Sequence, residues 1–144
     1  MNKISLESRI LQILLIGLIV FGFYLCFIGG YGSDEDTLPM IYVFEAKLAD
    51  GRFVTSRFTG YPIPEIGIGF LAYHLGSWAA NSATFLLHLI SLYLIFISFT
   101  KKIDVIKLFL FFVLALSSPV LYFDNLEPMD YSWAFAFFSA GIFF

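Results

Sequence analysis

Three consecutive carboxylates, Asp34, Glu35 and Asp36, follow a stretch from Ile10 to Ser33 with no charged residue. A fourth, Glu65, closes Tyr61-Pro62-Ile63-Pro64-Glu65, and a third group comprises Asp124, Glu127 and Asp130. Carboxylates at a polar–apolar boundary can serve as a general base or bind a hard cation, because partial desolvation moves a carboxylate toward a useful proton affinity. They can also be solvated loop acids that cap the following helix, where an anion suits the positive end of the dipole. Taken alone, the triplet reads first as loop acids. Glu65 reads equally as the acid starting a helix or as a further member of one site. Asp130 stands out in its group because it sits on the first turn of a helix, a rigid support, and not on a loop tip.

The elements that position these acids follow from composition. Sixty per cent of residues are hydrophobic and 13% charged, too little polar surface to cover a soluble domain of 144 residues. The class expected is a polytopic membrane protein, all-α. The net charge of −3 argues against a nucleic-acid partner, which asks for a basic face. The single cysteine, Cys26, lies in the first apolar run, has no intramolecular disulfide partner, and lacks the flanking small residues of a lipoprotein cleavage site. That run is also too long for a signal-peptide core, and no A-x-A-like cleavage site follows, so a retained signal anchor is expected.

Spans are expected at about 10–30, 82–100, 105–123 and 129–144, with juxtamembrane helices at about 37–50 and 65–76 in the first non-cytoplasmic loop. Gly29 to Ser33 ends the first span with turn residues. Thr37 to Ala49 places Leu38, Ile41, Tyr42, Phe44 and Leu48 close to a helical stripe, which predicts an amphipathic helix on the membrane surface, capped by Asp36 or Thr37. Thr59 to Pro64 is expected to be extended, because proline disfavours a helical residue before it. Residues 66–100 carry no charge, and one straight helix would run ~52 Å, more than a bilayer needs. The break is expected at Gly76 to Ser82.

Lys3 and Arg9 at the N-terminus, and Lys101, Lys102 and Lys107 in the next loop, are five of the eight basic residues. The positive-inside rule makes that side cytoplasmic and puts the acidic loops on the other. Lys47, Arg52 and Arg57 share the acidic face. Lys47 reads as neutralising nearby acids; Arg57 reads equally as that or as a contact to a phosphate or anionic lipid head. His74 and His88 lie in apolar helices, where histidines usually bond to a neighbouring helix or a polar cavity, and neither has a ligand-spaced partner. Gly67, Gly69 and Ala72 formally match a dinucleotide fingerprint, but no strand precedes them. There is no nucleophile elbow, CxxC pair or P-loop.

In order, these pieces resemble the membrane glycosyltransferases of the C-type fold, the superfamily of protein O-mannosyltransferases and lipid A aminoarabinose transferases. The matching pieces are Asp34-Glu35, Tyr42 to Gly51, Tyr61 to Glu65, Phe70 to Gly76, Ala79 to Phe99, Lys101-Lys102, Ser118-Pro119 and Met129-Asp130. Each motif alone is weak; their order covers nearly the whole chain. The resemblance implies an inverting transfer of a sugar from a polyprenyl-phosphate donor, held with membrane lipid, to an acceptor on the non-cytoplasmic face. It implies Asp34 as general base, Asp130 as the supporting acid and Glu65 as auxiliary, with Glu35, Asp36, Arg57 and Tyr61 near substrate. It leaves the use of a divalent cation open, since acids can bind one through oxygen ligands and related transferases differ. The chain departs from the pattern in its acidic triplet, where Asp36 competes with Asp34, and in the glutamate directly after Pro-Ile-Pro. The later spans and the basic residues that hold donor phosphate are missing. The last apolar run, Tyr131 to Phe144, reaches only ~21 Å. It raises the expectation of an N-terminal part of a longer protein, inactive alone. The competing reading is a small non-enzymatic membrane protein, an assembly or transport subunit, whose acids serve topology and solubility.

Overall fold

The computed structural model describes residues 6–31, 37–51, 62–100, 104–123, 126 and 130–144. Among them every regular element is helical: α1 (Leu6–Ile28), α2 (Thr37–Asp50), α3 (Pro62–Leu75), α4 (Ser77–Phe99), α5 (Val105–Leu116), α6 (Pro119–Phe123) and α7 (Asp130–Phe143). The segments Ser8–Ile28, of 21 residues, and Ser77–Phe99, of 23, are long and apolar enough to cross a membrane. α5 has the same composition but only 12 residues.

α4 is the hub, packed against α1, α3, α5 and α7. On its α1 side Phe85 and Leu92 join Leu15, Cys26, Phe112, Leu116 and Tyr122 in one core. On its α3 side Ala80 joins Met40, Ile41, Ile68 and Ala72, with Trp133 of α7 against them. Asn81 ties the hub to the end of α1: its Nδ2 donates to the carbonyls of Cys26 (3.2 Å) and Gly30 (2.7 Å). Helix ends leave carbonyls without intrahelical partners, and this amide answers one of them. Tyr122 ties α6 to the middle of α1 by donating its hydroxyl to the Leu18 carbonyl at 2.6 Å.

The elements differ from the sequence expectation in five places, each with a local cause. The stretch through Pro64 was expected to be extended, yet α3 begins at Pro62. Both prolines fall in the first turn, where a helix uses no backbone N–H, and proline's fixed φ suits the first helical position. The break expected across Gly76 to Ser82 is a single residue, Gly76, with φ +85° and ψ 178°. A positive φ is open to glycine at little steric cost, so the chain turns there and α4 starts at once. The expected span 105–123 is divided. α5 closes at Ser117, whose N–H reaches the Val113 carbonyl, and Pro119 then starts α6 because its ring would clash with the carbonyl four residues back. Lys107, expected in a loop, lies in α5's first turn, where Asp104 caps the helix by accepting from the N–H groups of Ile106 and Lys107.

The fifth difference concerns α2. Its buried face is Met40, Ile41, Val43 and Phe44, packed on α3, while Leu38, Tyr42 and Leu48 of the expected stripe are exposed. Gly69 makes this possible: a Cβ there would run into Phe44. α2 is thus apolar on two sides, one held by α3 and one open.

Candidate functional site

Glu65 and Asp130 are the buried carboxylates among the described residues. Glu65 is in the first turn of α3 and 1% exposed; Asp130 is the first residue of α7 and 4% exposed. Charged side chains are rarely buried to this degree, so their position needs a cause. α3 and α7 meet near their N-terminal ends because Gly67 has no side chain: a Cβ there would collide with the Trp133 indole ring. Two residues before Gly67 is Glu65, and three before Trp133 is Asp130. Both carboxyls also sit at helix N-termini, which favours an acidic group there.

Asp130 lines a cleft of about 390 Å³ together with Pro62, Ile63, Pro64, Ala134 and Phe137. Glu65 follows Pro64 directly. Asp130 therefore stands at a mouth whose other walls are apolar, and Glu65 lies one residue along α3 from its Pro64 wall. Such a mouth can accept a hydrogen bond or a proton from a hydroxyl group, with little water to compete. Asp34, Glu35, Asp36, Arg57 and Tyr61, along with Arg52, Asp124 and Glu127, lie outside the described residues. Among the described residues no group of three or more His, Cys, Asp or Glu could hold a metal ion.

The histidines take different places. His74 stands in an aromatic group with Phe44, Phe70 and Tyr73, its ring centroid 4.6 Å from that of Phe70. His88 is 2% exposed and lies 5.7 Å, ring to ring, from Phe135 of α7. Neither of its ring nitrogens has a hydrogen-bond partner among the described residues, so of the two expected settings, a bond to a neighbouring helix or a polar cavity, the first is not seen there.

His88 belongs to a feature that sequence reasoning missed. Asn81, Thr84, His88 and Ser91 are all buried on α4, and Ser132 and Ser139 are buried on α7, which packs against it. The spacing on α4 is three, four, three, one face of a helix, and it was readable in the charge-free run. The hydroxyls of Thr84, Ser91 and Ser139 donate to carbonyls four residues back in their own helices. Three hydroxyls of the seam are thus satisfied within their own helices, Asn81 bonds across to the end of α1, and His88 is enclosed without a partner among the described residues.

No protein-family model, curated protein or solved structure matches this chain.

Proposed function

We propose that the chain is a polytopic membrane glycosyltransferase, or part of one, moving a sugar from a polyprenyl-phosphate donor to an acceptor hydroxyl on the non-cytoplasmic face. The observation that carries this reading is the burial of Glu65 and Asp130, in the first turns of α3 and α7, where the two helices meet and Asp130 lines a cleft. The ordered motifs of the sequence and the apolar surfaces of α1 and α4 support the rest.

In this reading α1, α4, α5 with α6, and α7 cross the bilayer, with the N-terminus in the cytoplasm. Asp34 takes the proton of the acceptor hydroxyl as its oxygen attacks the anomeric carbon. The bond from that carbon to the phosphate oxygen breaks, the polyprenyl phosphate leaves with the bond's electrons, and the anomeric configuration inverts. Asp130 orients the acceptor hydroxyl, Glu65 holds the polar contacts around it, and Glu35, Asp36, Arg57 and Tyr61 contact the substrates, Arg57 facing the phosphate.

The test is transfer of radiolabelled sugar from a polyprenyl-phosphate donor by membranes carrying the protein. Asp34→Asn should lower the rate by about 10²-fold or more, the scale of a lost general base, and Asp130→Asn by about tenfold or more. Rates unchanged in both variants would overturn the assignment. Absence of any transfer by the unaltered protein would favour the non-enzymatic membrane subunit.

A further inference from the structure

His88 stands at the middle of α4, itself long and apolar enough to cross a membrane, and is 2% exposed. A polar side chain at such a position is costly unless hydrogen bonds satisfy it. A neutral imidazole has one N–H donor and one acceptor nitrogen, and neither has a partner among the described residues. The ring lies against Phe135, which fixes where it points: into the contact between α4 and α7. Ser132 and Ser139, three residues before Phe135 and four after it, share that face of α7 and are buried. On α4 the face of His88 carries Asn81, Thr84 and Ser91. Asn81 uses its amide donor on the Cys26 and Gly30 carbonyls, so its buried Oδ1 is an acceptor without a partner among the described residues. Thr84 and Ser91 donate to carbonyls of their own helix, and each hydroxyl oxygen can still accept.

We propose that the contact between α4 and α7 encloses a water-binding site with His88 as its central group, the N–H donating to one water and the second ring nitrogen accepting from another. The proposal is independent of the transferase reading. The chemistry of the seam selects water over other occupants. A lipid head group or a side chain from outside the chain cannot reach an imidazole that is 2% exposed. No group of three or more His, Cys, Asp or Glu among the described residues could hold a metal ion. An anion would meet the Asn81 Oδ1 acceptor, and no lysine or arginine is buried among the described residues to offset its charge. Water both donates and accepts, and a buried water is typically held by about three polar groups of this kind. The two helices are then joined at His88 through water and not by a direct bond, which satisfies both ring nitrogens without a protein partner. When an apolar residue replaces His88, the water leaves with the imidazole and no protein group is orphaned.

The experiment is X-ray radiolysis of the purified full chain in nanodiscs, with a polar radical scavenger in the bulk and oxidation read residue by residue by mass spectrometry. Hydroxyl radicals formed from an enclosed water react with the side chains around it before a bulk scavenger intercepts them. His88 and Phe135 should therefore be oxidised, while Phe85 and Phe112, buried in the apolar core on the α1 side of α4, should stay at background. His88→Phe keeps an aromatic ring against Phe135 but removes both nitrogens, and should bring Phe135 down to the level of Phe85. His88→Gln restores a donor and an acceptor and should keep Phe135 oxidised. Oxidation of His88 and Phe135 no greater than that of Phe85 and Phe112 in the unaltered protein would overturn the proposal, whether or not either variant folds. Equal oxidation of Phe135 in the two variants would overturn it as well.

Discussion

Asn81 and His88 share one face of α4 and make opposite predictions. Asn81 donates to two carbonyls at the end of α1, across a long sequence separation. Asn81→Leu should lower unfolding stability by about 1–3 kcal/mol, since it strips the donor and leaves buried acceptors behind. The midpoint of denaturant or SDS unfolding measures this. His88 makes no hydrogen bond through either ring nitrogen among the described residues, and its ring stacks loosely on Phe135. His88→Leu removes a buried polar group without orphaning a partner, so its midpoint should equal or exceed that of the unaltered protein. A clear fall would show that the imidazole is engaged. The same comparison separates polar residues that clamp the helices from those that are merely enclosed by them.

The α3 helix brings Glu65 toward Asp130, and its contact with α7 depends on Gly67. Gly67→Leu should push Trp133 and α7 away from α3 and cost about 1–3 kcal/mol through overpacking. Sugar transfer should fall with it, because Asp130 would be carried away from the α3 wall of its cleft. Gly141→Leu is the matched control: a Cβ there meets nothing within 4 Å, so stability and transfer should hold. Equal effects of the two substitutions would mean that α3 and α7 do not depend on this close approach. α3 also shows how much of an element a sequence reveals. Its apolar run was plain, but Pro62 and Pro64 read as extended chain, because a proline's effect depends on whether it falls before or inside the first turn. The helix N-terminus, which sets that, is decided by what α3 packs against.

For the whole molecule, the proposed topology puts the exposed Lys107 on the cytoplasmic side and the exposed Asp50, at the end of α2, on the opposite side. Lys107→Cys and Asp50→Cys should then react with a membrane-impermeant maleimide from opposite faces of intact cells and inverted vesicles. The native Cys26 is fully buried and supplies a silent background. Labelling of both positions from one side would refute the arrangement. Large apolar side chains such as Ile13, Ile16 and Val20 on α1 and Leu110 and Leu114 on α5 are exposed in the isolated chain. A surface of this kind fits lipid better than water.

The sequence by itself determined that the chain is helical and that two of its apolar runs are long enough to cross a membrane, since both depend on local composition and period. It singled out Glu65 and Asp130 by residue type and by their place at helix starts. It could not determine that they are buried, or that Asp130 lines a cleft walled by the start of α3. That depends on Gly67 receiving the Trp133 ring, a contact between residues far apart in the chain that neither segment announces alone. The polar face of Asn81, Thr84, His88 and Ser91 lay between these cases. Its period was visible, but which of its members bond across helices and which bond within their own was settled only when α1 and α7 came to lie against α4. Local physics fixes a helix and its faces; only packing decides what each face meets.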